Sequence, residues 1–227
     1  MVKPIGSDKW RMYAGSYSNY ITINFQVGKI SCTKGAEEVT VEEYREMMRW
    51  LNRKEFHDFY IRQTGYEVIH YEGAFNIQPI QVGGRVFGME LTFITNRPYG
   101  LGDPQNLTYV INEENKSFMI YDVSDEVGHL YPDMIITCNE SGNLELYNNI
   151  EDRSMLVKNC VAGEILNVFG EAKIITSTIS SHAVYNDFNY KFLRLANTEA
   201  TRENVITVSI PCQVDITYMP VRKIGIN

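Results

Sequence analysis

The side chains that most often carry chemistry are few in this sequence and far apart. Cysteines stand at Cys32, Cys138, Cys160 and Cys212, and the histidines are His57, His70, His129 and His182. No two cysteines form a CxxC pair, and no histidine sits at ligand spacing from one. A structural zinc site normally shows at least one such tight pair. A nucleophilic serine of the GxSxG type is absent, and so is a phosphate-binding P-loop. Gly83-Gly84 and Gly100-x-Gly102 are too short for nucleotide loops and read as turn glycines. His57-Asp58 is adjacent in sequence, which by itself does not orient an imidazole, so the pair reads as surface residues after a helix. Asp122, Asp125 and Glu126 cluster before Gly128 without the ligand spacing of a calcium loop, and read as a solvated loop. A carboxylate pair for glycoside hydrolysis could lie among the 28 acidic residues, but its separation is not written in the chain. The sequence therefore nominates no catalytic, cofactor-binding or metal-ligating residue.

Composition narrows the remaining classes. The chain has 227 residues, 44% hydrophobic and 22% charged, ordinary values for a folded protein with one large core or two smaller ones. No run of about 18 apolar residues predicts a membrane span. Met1-Val2-Lys3-Pro4-Ile5-Gly6 lacks the apolar stretch of a signal peptide. A formal charge of −7 without a basic stripe argues against general nucleic-acid binding. Cys32, Cys138 and Cys212 lie in strand-like text, where a free buried thiol acts as a small hydrophobe. The fifteen tyrosines suit carbohydrate or protein contact surfaces, but β-rich text alone accounts for them.

Any such surface must be positioned by strands, because one amphipathic helix interrupts text that otherwise alternates. Thr40 and Glu43 fit a capping box opening a helix that runs to about Arg53. Val41, Tyr44, Met48 and Leu51 make one apolar face, widened by Met47 and Trp50. The pattern predicts a helix packed on a sheet, with Trp50 and the methionines available to a partner subunit. Strands are predicted at 21–27, 59–61, 66–77 and 86–95, with Ile30-Ser31-Cys32 continuing the first edge and Gly83-Gly84 as a hairpin turn. Phe87, Met89, Leu91 and Phe93 share one face.

Asn96 to Pro104 is the densest cluster of breakers and is read as a domain boundary. Beyond it, strands are predicted at 107–111, 116–121, 134–138, 144–147, 154–161, 164–169, 174–179, 192–194, 205–210 and 213–219. Ser141-Gly142-Asn143 is read as a hairpin turn joining two of them, and Ala162-Gly163 as the turn of another pair. Short strands at this spacing indicate an antiparallel sandwich.

An ordered series of features resembles the distal tail protein family of long-tailed phages and prophages. The series starts with Arg49-Trp50-Leu51, Phe59-Tyr60-Ile61 and Tyr71-Glu72-Gly73, then Leu91-Thr92-Phe93 and Arg97-Pro98-Tyr99-Gly100. Leu130-Tyr131-Pro132, Gly142-Asn143-Leu144, Gly163-Glu164 and 189–195 follow, and Ile216 to Gly225 closes it. The resemblance implies a mainly β chain of two domains. Residues 1–100 would be a ring-forming β-sandwich or split barrel like that of tail-tube proteins, with the helix at 40–53. Residues 101–227 would be a galectin-like antiparallel sandwich, with the last residues returning to the first domain.

The implied role is structural rather than enzymatic. A hexameric ring of this chain would join the tail tube to the baseplate hub or tail-associated lysin and dock receptor-binding proteins, without cofactors. DNA would pass through only as cargo, and an acidic lumen would keep it from sticking. The place implied is the virion tail tip, after assembly in the host cytoplasm. Members of this family usually begin with a longer β arm; here about twenty residues precede the first strand, and Trp10-Arg11-Met12-Tyr13 would be its remnant. The alternative reading is a carbohydrate-binding sandwich. Both tryptophans, Trp10 and Trp50, lie in the first half, which leaves sugar stacking in the second half to tyrosines.

Overall fold

The computed structural model describes residues 20–31, 35–62, 64–65 and 67–223. Cys32, the segment around Trp10 and the last residues of the chain lie outside the described residues. The chain divides into two compact units, Met1–Gly100 and Leu101–Asn227.

The first unit contains β1 (Thr22–Gly28), β2 (Ile30–Ser31), β3 (Gly35–Ala36), α1 (Val41–Leu51), β4 (His57–Ile61), β5 (Ile69–Val82) and β6 (Arg85–Thr95). Strands β1, β6 and β5 form an antiparallel sheet in that order, and β4 pairs with the other edge of β5. The β5–β6 turn needs two residues with positive φ, and Gly83 and Gly84 supply them at 59° and 80°. Alternation then buries Met89, Leu91 and Phe93 on one face. At the other end of the hairpin Gly73 stands bare beneath the Phe93 ring, which meets Phe75 and Phe59 at 4.8 and 4.7 Å. A Cβ at Gly73 would lie 2.4 Å from the Ile94 carbonyl oxygen and 2.6 Å from Phe93 Cζ. Gly73→Ala is therefore expected to destabilise this unit by about 1–3 kcal/mol, the usual range for overpacking. The measurement is a urea titration followed by Trp fluorescence, since both tryptophans lie in this half; an unchanged midpoint would contradict the tight packing.

Helix α1 forms for the reasons its sequence gives. The Thr40 hydroxyl accepts the Glu43 amide at 3.2 Å, and the Glu43 carboxylate accepts the Thr40 amide at 2.9 Å. The ladder stops at Leu51, two residues earlier than expected, where Asn52 (φ −84°, ψ 76°) leaves helical geometry. Tyr44, Met47, Met48 and Leu51 pack towards Val39, Ile77, Met89 and Leu91.

The boundary between the units falls within the short β7 (Gly100–Leu101). The second unit continues through β8 (Gln105–Ile111), β9 (Lys116–Tyr121), β10 (Gly128–Leu130), β11 (Asp133–Cys138), β12 (Gly142–Asn148), β13 (Arg153–Cys160), β14 (Ile165–Phe169) and β15 (Ile174–Ser177). The single-turn α2 (Val184–Asp187), then β16 (Leu195–Asn197), β17 (Glu203–Val208), β18 (Cys212–Tyr218) and β19 (Val221–Arg222) complete it. A five-stranded sheet, β15-β14-β11-β18-β8, faces a four-stranded sheet, β13-β12-β17-β9. Alternate residues of both sheets fill the space between them, among them Ile136, Leu144, Leu146, Leu166, Ile206 and Ile216. The fold class is therefore mainly β, with one long helix.

Two expected hairpins are absent. Strand β11 pairs with β14 and β18, and β12 pairs with β13 and β17, so the 139–141 connection passes from one sheet to the other. The Ala162-Gly163 turn likewise joins β13 of one sheet to β14 of the other. Turn residues look the same in a hairpin and in an arch; only the distant partner strand tells them apart. Phe192-Leu193-Arg194 is not a strand, and extended pairing begins at Leu195. This apolar run buries its side chains by plugging the core instead, with Phe188 and Phe192 edge to face at 4.9 Å. Asn189 ties the run to the β13 backbone through the Leu156 amide and the Ser154 carbonyl.

Candidate interaction surfaces

In the first unit the helix seals only part of the sheet. Trp50 is 62% exposed and Val41 61%, so the outer positions of the predicted apolar face look to solvent rather than inward. Trp50 stands between two hollows. One, of 480 Å³, is lined by Val27, Lys29, Val39, Met47 and Met89 with Glu43 and Glu46 at its rim. The other, of 200 Å³, is lined by Leu51, Phe59, Phe75 and Phe93 with Arg53 and His57. At the rim of the first, Lys29 Nζ lies 2.7 Å from Glu43 Oε1. Their hydrogen bond raises the Lys29 ammonium above its ordinary value and lowers the Glu43 carboxyl, which the Thr40 amide lowers further. The hollow is thus an apolar surface with one charged pair at its rim. His57 and Asp58 sit side by side on β4, both exposed and on opposite faces, as neighbours on a strand must be.

The second unit brings together chemistry that the sequence keeps apart. Glu164, fully buried, accepts hydrogen bonds from Ser177 Oγ at 2.5 Å and the Val161 amide at 3.0 Å, and pairs with His182 Nδ1 at 2.6 Å. Asp187 lies 3.3 Å from His182 Nε2, placed for charge attraction rather than for a hydrogen bond. Cys138, Cys160 and Cys212 are free thiols in the same core, and burial pushes Cys212 up to about 11. A histidine, carboxylates, a serine and thiols in one cluster have the residue types of a hydrolytic site. The His182 and Glu164 side chains are only 5% and 0% exposed, however, so the cluster lies inside the core and not in a cleft. It clasps α2 and the β14–β15 edge to the sandwich. Only tertiary structure reveals it, because its members are spread from 138 to 212.

A second buried carboxylate, Glu151, binds Arg194 Nε at 2.6 Å and His129 Nε2 at 2.5 Å. Nearby, burial lowers the Lys173 ammonium to about 8, and it lies over the Tyr131 ring. The acidic loop after β9 is not simply solvated. Asp122 is 1% exposed and accepts the Ser124 amide and hydroxyl at 3.0 and 2.7 Å. Asp125 accepts the Lys223 amide at 3.2 Å, and Glu126 pairs with Lys223 Nζ at 3.0 Å. The loop clamps the segment Val221 to Lys223, a role that the local run of acids does not display.

No curated protein sequence matches this chain. Among solved structures, the crystal structure of SPP1 Dit (gp 19.1) is similar. That structure is described as a paradigm of the hub adsorption apparatus in phages infecting Gram-positive hosts. The TM-score is 0.59 at 11% identity, over 88% of this chain and 78% of that one. At that identity the likeness is one of fold, the fold of a distal tail protein. Two family profiles also match in chain order, a phage tail protein N-terminal domain over residues 1–97 and a phage tail C-terminal domain over residues 99–218. The chain therefore belongs to a family of phage tail proteins.

Proposed function

We propose that this chain is a structural subunit of the tail tip that closes into a hexameric ring. The ring joins the tail tube to the baseplate hub or tail-associated lysin and offers its second unit as a docking platform for receptor-binding proteins. The chain acts by contact, not by catalysis. The observation that carries this reading is the unfinished surface of the first unit. Among the described residues its buried apolar cluster has four members, Val39, Ile77, Met89 and Leu91, while Trp50, Val41, Ile30, Phe56 and Val82 are each more than half exposed. No described strand pairs with the outer edge of β1. Open edges and contiguous apolar surface mark association sites. A cyclic ring uses two different patches that meet head to tail. The acidic balance of the chain suits a lumen that repels passing DNA.

Light scattering and negative-stain microscopy on the full chain test the proposal. The expected result is a closed ring, formed alone or on mixing with tube or hub protein. A strict monomer at every concentration and with every partner would overturn it. Trp50→Glu places a charge at the centre of the apolar patch and is expected to weaken assembly at least about tenfold, since buried aromatics dominate interface energy. Assembly equal to the parent's would remove Trp50 from the interface.

A further inference from the structure

The outward face of the β13-β12-β17-β9 sheet carries two polar depressions, each built around a tyrosine. The first, of 230 Å³, is lined by Tyr147, Glu145, Asn115, Thr207 and Ser209. The second, of 260 Å³, lies at the end of the sheet, where Tyr121 and Glu203 meet the loop residues 198–202, Arg202 among them. Register puts both on one face. Tyr147 is opposite Thr207 on β17, Thr207 is two and four residues from Val205 and Glu203, and Glu203 is opposite Tyr121 on β9. Val205 and the half-exposed Met119 form an apolar saddle between them. Four residues along a strand and two strands across separate the tyrosine positions by roughly 16 Å.

The chemistry of the face is specific. Tyr147 donates its hydroxyl to Asp152 at 3.1 Å, which holds the ring in place. Ser117 and Thr207 share a hydrogen bond of 2.8 Å across the strands. The Glu145 carboxylate and the Arg202 guanidinium make no hydrogen bond or ion pair with the described residues, so both are free to bind. Each depression is smaller than the about 300–1,000 Å³ of a drug-sized cleft, which leaves room for one small ring apiece. Aromatic faces beside carboxylate, amide and hydroxyl groups match a ring with one C–H face and a girdle of hydroxyls. Glu145, Asp152, Glu199 and Glu203 outnumber Arg202, and this negative field disfavours a polyanion.

We infer that this sheet face binds a neutral oligosaccharide of pyranose units, with one sugar ring on Tyr147, one on Tyr121 and the connecting segment over Met119 and Val205. The site goes beyond the proposed ring function and does not depend on it. The test is saturation-transfer difference NMR on the full chain with an array of neutral oligosaccharides of glucose, galactose, rhamnose and N-acetylhexosamines, with dextran sulfate as the anionic probe. At least one neutral oligosaccharide is expected to show transfer, with monosaccharides weaker. Tyr147→Ala and Tyr121→Ala are each expected to weaken binding about tenfold, equivalent to about 1.4 kcal/mol. Glu145→Gln keeps the shape and is expected to weaken binding by a smaller factor, which keeps the test valid should a tyrosine variant misfold. Transfer to no neutral oligosaccharide, preference for the sulfated polymer, or binding unchanged in the Tyr121/Tyr147 double variant would overturn the inference. Loss of assembly in the double variant without any sugar binding would instead make this face a protein contact.

Discussion

Glu164→Ala is expected to loosen the second unit by about 3–5 kcal/mol, the range for removing one partner of a buried charge pair. The carboxylate is wholly enclosed and serves three donors, the Ser177 hydroxyl, the His182 ring and the Val161 amide. Alanine leaves all three without this acceptor, around a carboxylate site that is itself fully buried. Glu164→Gln keeps one acceptor oxygen and the shape, so its loss should be smaller, about 1–3 kcal/mol. Hydrogen exchange of the β11 and β14 amides reads this unit without interference from the first. Protection equal to the parent's in Glu164→Ala would show that the clasp contributes nothing.

The same clasp sets a pH dependence whose sign follows from its two groups. Burial pushes the Glu164 carboxyl up, but the bonds from Ser177, His182 and Val161 outweigh it and hold the group below its ordinary 4.5. Its contribution is complete above that value and is lost as pH falls through the lower folded one. Burial pushes His182 down, but the hydrogen bond and charge of Glu164, with Cys160 and Asp187, carry it above its ordinary 6.5. Its contribution is complete below 6.5 and is lost as pH rises through the higher folded value. Both act together between pH 4.5 and 6.5, where protection of the second unit should be greatest. In Glu164→Gln this maximum should flatten. A parent profile without a maximum in that window would contradict the assignment.

What the sequence displays and what it hides divide along chain separation. The capping box at Thr40 and Glu43 spans four residues, and the Gly83-Gly84 turn two, so the local pattern already contains the partners. The alternation of 86–95 is equally local, and its buried face is the predicted one. The connections after β11 and β13 are different. Whether Ser141-Gly142-Asn143 closes a hairpin or crosses between sheets is decided by β17 and β18, some seventy residues later, and nothing in the turn reports it. The surfaces follow the same division. Periodicity placed Trp50 on the apolar side of α1 but could not say that the sheet ends before covering it. The Tyr121 and Tyr147 depressions need the register of three strands, and the acidic text at 122–126 hides Asp122 because its partners include its own backbone two residues on.

Asn204 shows how one polar side chain can hold a strand that pattern alone would not predict. It occupies an inward, fully buried position of β17, beside residues such as Ile206. Its Oδ1 accepts the Ala196 amide at 2.7 Å and Asn148 Nδ2 at 2.9 Å, while its Nδ2 donates to the Ala196 carbonyl at 2.9 Å. The amide thus imitates the edge of a strand and docks β16, which among the described strands otherwise pairs only with the short β10. Asn204→Ala would leave the Ala196 amide and carbonyl, and one N–H of the Asn148 side chain whose Nδ2 still reaches the Arg194 carbonyl, without their partner. At about 1–3 kcal/mol each, with partial recovery by water, the expected loss is about 3–4 kcal/mol. Asn204→Asp keeps the acceptor but cannot donate to Ala196 and brings a charge into the core, so it should rescue little. The Leu195–Asn197 amides should lose hydrogen-exchange protection first, while the β14 amides, clasped by Glu164, keep theirs. Uniform loss across both sheets would mean that β16 is not a separate element but part of a single cooperative core.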